Sequence, residues 1–118
     1  MPQEPKRHTR AEAVGDVTVV RFLTSRLTSD FDIEEAAAEI DDLVAAGRTK
    51  LVLNFGDLRQ MSSAALGKLL ALRRKLDASK GALRLCHINP DIREVFEITK
   101  LVKSFTILPD EQAALRSF

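Results

Sequence analysis

The chain has 118 residues, 45% of them apolar and 30% charged, with a formal net charge of +1. This is the length of one domain, enough to bury roughly two thirds of the surface that the unfolded chain exposes. The charge is too small to point to nucleic acid, and without Trp or Tyr few platforms remain for stacking bases. One cysteine, Cys86, excludes an intramolecular disulfide and points to a reducing compartment, here the cytoplasm. No apolar run approaches the roughly 20 residues that cross a bilayer, so no membrane insertion is expected.

Residues 1–8 (MPQEPKRH) are polar, lack the apolar middle of a signal peptide and are expected to form a flexible tail. Residues 9–118 are expected to form one domain. Residues 9–14 and the β-branched run 17–23 (VTVVRFL) flank Gly15 and Asp16 and predict a hairpin. Residues 24–30 read as a polar loop that ends where Asp30 or Asp32 caps a helix. Along that helix Ile33, Ala37, Ile40 and Val44 recur at helical spacing, Leu43 widens the stripe, and Gly47 ends it. Leu51, Val52, Leu53 and Phe55 barely alternate, as in a strand covered on both faces.

A second helix is predicted over residues 63–79, with Leu66, Leu69, Leu70, Leu72 and Leu76 as its apolar positions and Gly81 as its stop. Residues 82–88 (ALRLCHI) alternate as a strand. Asn89 is a cap and Pro90 a first-turn residue for a third helix, in which Ile92, Val95, Phe96 and Leu101 continue the apolar pattern. Residues 104–108 read as a last short strand, and Pro109 opens a C-terminal helix. Alternating strands and helices imply an α/β fold with a mixed, mainly parallel sheet of four to five strands and about four helices. Sites in such sheets lie at the carboxyl ends of the strands.

The stretch 51–67, LVLNFGDLRQMSSAALG, has that position. Its two serines stand where free backbone N–H groups and the positive end of a helix dipole tolerate a negative charge. A serine before an apolar helix is ordinarily its N-cap. Ser62 can serve as the cap while Ser63 presents an exposed hydroxyl. Small Ala64 and Ala65 suit close approach by a partner backbone, although both are also simply good helix formers. Asp57 in the preceding loop can accept hydrogen bonds from backbone N–H groups. His87 and Cys86 alternate on one strand, so one of them faces inward, and both read as structural. The cationic run 73–75 reads as a solvated helix face.

These segments together resemble the STAS domain of bacterial anti-sigma-factor antagonists, over roughly residues 11–115. The residues that carry the resemblance are VTVVRF, KLVLNFGDLRQMSSAALGKLL and GALRLCHINPDIREVFEITKLVKSFTIL. Ile88, Pro90, Ile92, Val95, Phe96, Thr99 and Leu101 are similar to the stretch that follows the family's fourth strand. The serine loop corresponds to the family's D-S-S/T-G-L-G motif. In that register Ser62 takes the acidic position, Ser63 the phosphoacceptor, Ala64 the next Ser/Thr and Ala65 the first glycine, while Leu66 and Gly67 match. Thr28 stands where the family often has a second acid.

The resemblance implies a non-enzymatic binding module that engages an anti-sigma factor with a kinase fold and is switched by phosphorylation of Ser63. Thr28, Asp57, Ser62, Ser63, Ala64, Ala65 and Leu66 would form the contact edge. No catalytic residue, metal or cofactor is expected, and a homodimer is left open. The alternative is an unphosphorylated scaffold or a subunit of a signalling or lipid-transporter assembly. A serine hydrolase would need a base beside Ser63, and His87 is the one histidine outside the expected tail.

Overall fold

Gly15, at φ 64°, turns β1 (Thr9–Val14) back onto β2 (Val17–Phe22) in an antiparallel pair. In this computed structural model, which describes residues 7–118, β3 (Arg26–Leu27) follows and leads into α1 (Asp30–Ala45). Then come β4 (Lys50–Asn54), β5 (Gln60–Met61), α2 (Ser63–Ala78), β6 (Ala82–Cys86) and α3 (Pro90–Ile98). A 3-10 turn over Val102–Ser104, β7 (Thr106–Leu108) and α4 (Glu111–Arg116) complete the chain. The main sheet has the order β1-β2-β4-β6-β7 and is parallel from β2 onward. Helix α4 opens at Glu111, two residues after Pro109, and Asp110 caps it. The last strand is shorter than expected because the 3-10 turn occupies the first of those residues.

The central strands β2, β4 and β6 are covered on both faces, while the edge strand β1 is exposed beyond Thr9. Val20, Leu53 and Leu85 lie in register and belong to the larger core cluster, with Ile33 and Ile40 of α1, Leu66, Leu69 and Leu76 of α2, and Ile92 and Phe96 of α3. Val17, Val19, Val52 and Cys86 make the smaller cluster with Ala114 of α4. Leu51, Val52 and Leu53 are therefore all fully buried, which explains the missing alternation. Phe22 and Phe55 pack with ring centroids 5.1 Å apart, and Phe96 meets Phe105 edge-on at 5.4 Å. Helices α1 and α2 flank a cavity of about 210 Å³ lined in part by Ile33, Ile40, Leu69 and Leu72. Lys68 reaches Glu34 at 2.8 Å and Lys75 reaches Asp41 at 3.1 Å, joining the two helices.

Several local expectations need correction. Residues 24–30 are not all loop, because β3 pairs in parallel with β5 as a second, two-stranded sheet. Ser29, rather than Asp30 or Asp32, caps α1: its side chain accepts the Asp32 N–H at 3.1 Å. Gly47 does end α1, at φ 90°. After α2 the left-handed residue is Lys80, at φ 58°, not Gly81. Gly81 is required for a different reason, since a Cβ there would collide with the Thr49 carbonyl.

The expected tail falls largely on residues 1–6, which lie outside the described residues, but His8 is not part of a loose tail. It is buried, with Nε2 3.0 Å from Asp32 Oδ1 and Nδ1 3.4 Å from Glu39 Oε2. Burial works against the Glu39 carboxylate. Hydrogen bonds from the His8 backbone and from the Thr9 hydroxyl and N–H outweigh that effect and hold its pKa below the ordinary value. This clasp ties the start of β1 to α1.

Candidate functional site

The site is assembled by the short β3–β5 pair. Leu27 and Met61 are register partners and both are buried, so this pair is pinned to the core. The Ser62 N–H donates to the Leu27 carbonyl at 3.0 Å, which sets Thr28 beside Ser62. The Arg59 and Gln60 N–H groups donate to the Ser25 carbonyl at 2.8 and 3.1 Å, fixing the approach to the serines. One residue past each paired strand the chain nears a helix cap, so α1 and α2 begin side by side.

At the start of α2 the two serines divide the work. Ser62, in extended backbone, accepts the Ala65 N–H through its hydroxyl at 3.3 Å. Ser63 is the first helical residue and is exposed. The first turn of α2 holds no acidic residue, so the N-terminal N–H groups face no carboxylate of their own turn. A hydroxyl at this place can carry a phosphate whose charge the helix dipole offsets.

The structure brings Thr28, Ser62, Ser63 and Ala64 to one edge, with Thr28, Ser63 and Ala64 exposed and Ser62 half-buried. It removes Ala65 and Leu66 from the proposed contact edge. Both face the core, because a helix that presents positions 63 and 64 must turn 65 and 66 inward. Asp57 is exposed but lines a different, shallow depression with Arg21, Asn54, Gly56 and His87. In the same loop the Gly56 N–H donates to Asn54 Oδ1 at 2.8 Å.

The neighbouring strand end offers no hydrolase constellation. His87 is exposed and adopts φ 56°, so it ends β6 rather than extending it. Cys86 faces inward, as the alternation requires. Burial, with the charges of Glu111 and Asp110 adding to it, pushes the thiol pKa up to about 11. The thiol is therefore protonated and unreactive at neutral pH. Among the described residues no group of three or more His, Cys, Asp or Glu side chains could hold a metal, and no helix is long and apolar enough to cross a membrane.

Sequence reasoning missed the β3–β5 pair that builds this edge. Two-residue strands carry no periodicity, so no signal for them existed. The Ser29 cap did have a signal, since Ser29 and Asp32 form an S-x-x-D pattern ahead of an apolar run.

Residues 10–114 match the model of the STAS domain family. BtrV of Bordetella bronchiseptica, named provisionally as an anti-sigma factor antagonist, is 35% identical over 85 residues, spanning 72% of this chain and 73% of BtrV. The Bacillus cell fate determinant SpoIIAA in its phosphorylated form is 28% identical with a TM-score of 0.69, over 93% of this chain and 99% of SpoIIAA. An anti-sigma factor antagonist from Mycobacterium paratuberculosis shares the fold, with a TM-score of 0.81 at 24% identity over 92% of this chain and 91% of its own.

Proposed function

The chain belongs to the STAS domain family, as a protein of the anti-sigma-factor-antagonist type, and on that premise we propose that Ser63 is its control point. Unmodified, the edge formed by Thr28, Ser62, Ser63 and Ala64 packs against an anti-sigma factor with a kinase fold and withdraws it from its sigma factor. Phosphorylation of Ser63 adds a charge of about −1.5 to −2 at neutral pH. The α2 N-terminus keeps that charge tolerable within the fold. At a closely packed interface the same phosphate brings bulk and a desolvation cost, and the complex separates. No catalytic group takes part in this reading; the chain is a binding module.

The observation that carries the proposal is the division of labour between the serines. Ser62 caps the helix, so Ser63 is free of that structural task and lies exposed at the first helical position. A mixture with the cognate kinase and ATP tests it. Mass spectrometry is expected to find one phosphate on Ser63 and none in Ser63→Ala; phosphate elsewhere, or none, contradicts the switch.

One observation favours a second reading, an unphosphorylated scaffold or a subunit of a signalling or lipid-transporter assembly. Thr28 and Ser62 are neutral, Ser62 at the acidic position of the family's motif and Thr28 where the family often has a second acid. If partner binding is unchanged by Ser63→Asp, the scaffold replaces the switch.

A further inference from the structure

The two edges of the main sheet differ. Edge strand β7 has three residues, and so short an edge gives little template for further pairing. The other edge, β1, has six residues in unbroken register with β2, contains no proline or bulge, and is exposed from Arg10 to Val14.

The phase of the β1–β2 pair shows which backbone groups are spare. The Leu23 N–H donates to the His8 carbonyl at 2.7 Å, so His8 and Leu23 are a hydrogen-bonded pair. Such pairs alternate along an antiparallel ladder. The backbone groups of Arg10, Glu12 and Val14 therefore turn toward β2, and those of Thr9, Ala11 and Ala13 turn outward. The Thr9 N–H agrees with this phase, because it leaves the sheet to meet Glu39 Oε1 at 3.0 Å. Among the described residues the outward N–H and C=O groups of Ala11 and Ala13 have no partner.

The charges along the same edge are self-complementary. Arg10 makes no ion pair among the described residues and stands opposite Arg21, a like charge. Glu12 reaches Arg21 only at 3.9 Å. A second copy of β1 laid antiparallel on this edge can be centred near mid-strand on Arg10, Ala11 or Glu12. Centring on Arg10 opposes two arginines, and centring on Glu12 opposes two glutamates, which is destabilising in each case. Centring on Ala11 sets Arg10 opposite Glu12 of the second copy, in a non-hydrogen-bonded position where side chains lie closest. The two Ala11 residues then exchange N–H and C=O bonds. The Ala13 N–H meets the Thr9 carbonyl of the second copy, which the Glu39 clasp leaves free.

We propose that β1 is the interface of a two-fold homodimer, in which the strands of two copies pair antiparallel about Ala11 and join their main sheets into one. The occupant is a second copy because the strand read backwards offers each of its charges the opposite one. The seam is small for a protein interface, so the dimer is weak, with a dissociation constant on the order of tens of micromolar. It uses no residue of the Thr28–Ala64 edge and does not depend on the reading of Ser63.

Sedimentation equilibrium of the full chain, from about 1 μM to about 1 mM, tests the proposal, and monomer is expected to give way to dimer across that range. Ala11→Pro is expected to leave the circular dichroism of the monomer unchanged, since that N–H faces outward, and to weaken the dimer by at least about 30-fold. Arg10→Glu and Glu12→Arg are each expected to weaken self-association by about 10- to 30-fold, because like charges then face each other on both sides of the two-fold axis. Mixed in equal amounts, these two variants are expected to form a heterodimer as tight as the parent dimer, a rescue that damage to the monomer would not give. A chain that stays monomeric at about 1 mM overturns the proposal. So does an Ala11→Pro chain that dimerises as the parent does, since the dimer then uses another face. Failure of the mixed charge variants to associate overturns the Ala11-centred pairing.

Discussion

Helices α2 and α3 start with the same local chemistry and put it to different use. In each, a polar side chain in extended backbone accepts the N–H three residues on: Ser62 from Ala65 at 3.3 Å, Asn89 from Ile92 at 2.9 Å. Asn89 has a second functional group, and its Nδ2 donates to the Leu58 carbonyl at 2.9 Å, bracing the loop before β5. The next residue is Pro90, which fixes φ and offers no donor. Ser62 has a single hydroxyl, already engaged by Ala65, and the next residue is the exposed Ser63. One helix start is a brace and the other is a display. The difference teaches that a capping motif alone does not mark a site; the residue after the cap, and what it is free to do, separates the two.

Substitutions can break or sharpen this contrast. The largest effect is expected from Ser63→Asp, which should weaken binding to the anti-sigma factor by at least about 100-fold, near 2.7 kcal/mol. The same substitution should change folding stability by less than about 0.5 kcal/mol, because an acid suits a helix N-terminus. Titration calorimetry and urea unfolding measure the two separately. Asn89→Ala comes next, at about 2 kcal/mol of stability, because it removes a cap and leaves the part-buried Leu58 carbonyl without that donor. Ser62→Ala removes a cap only and should cost about 1 kcal/mol in the same urea assay. If Ser62→Ala proves the more damaging, the distinction between brace and display is wrong.

The smallest effect concerns the clasp at the other end of the chain. Glu39 titrates below its ordinary value of 4.5 in the folded state. Its contribution is therefore fully present above pH 4.5, where the unfolded carboxyl is also ionised, and is lost as pH falls through the lower folded value. The stability difference between the parent chain and Glu39→Gln should shrink as urea midpoints are compared from pH 6 down to pH 3. A difference that grows on acidification would show that the carboxylate is not the favoured form.

The long elements were legible because their signals are redundant. Gly15 and Asp16 between two β-branched runs predict the hairpin, and Asn89 with Pro90 predicts the start of α3. The apolar spacing of α2 predicts the buried Leu66, Leu69, Leu72 and Leu76, while Leu70 is only partly buried. Features set by tertiary pairing were not legible. Arg26–Leu27 and Gln60–Met61 are too short for any periodicity, yet they bring Thr28 to Ser62. Ala65 and Leu66 were assigned to the contact edge through the family motif, but the helical turn sends them into the core. His8 looked like tail because its partners, Asp32 and Glu39, are far along the chain. Gly81 looked like a helix stop, whereas its role is set by the Thr49 carbonyl of another segment.

The most direct test of the account is the affinity of one anti-sigma factor for the unmodified chain and for chain stoichiometrically phosphorylated on Ser63, measured under identical conditions. A tight complex is expected with the former and binding weaker by at least about 100-fold with the latter, with both chains folded alike. Equal affinities would contradict it.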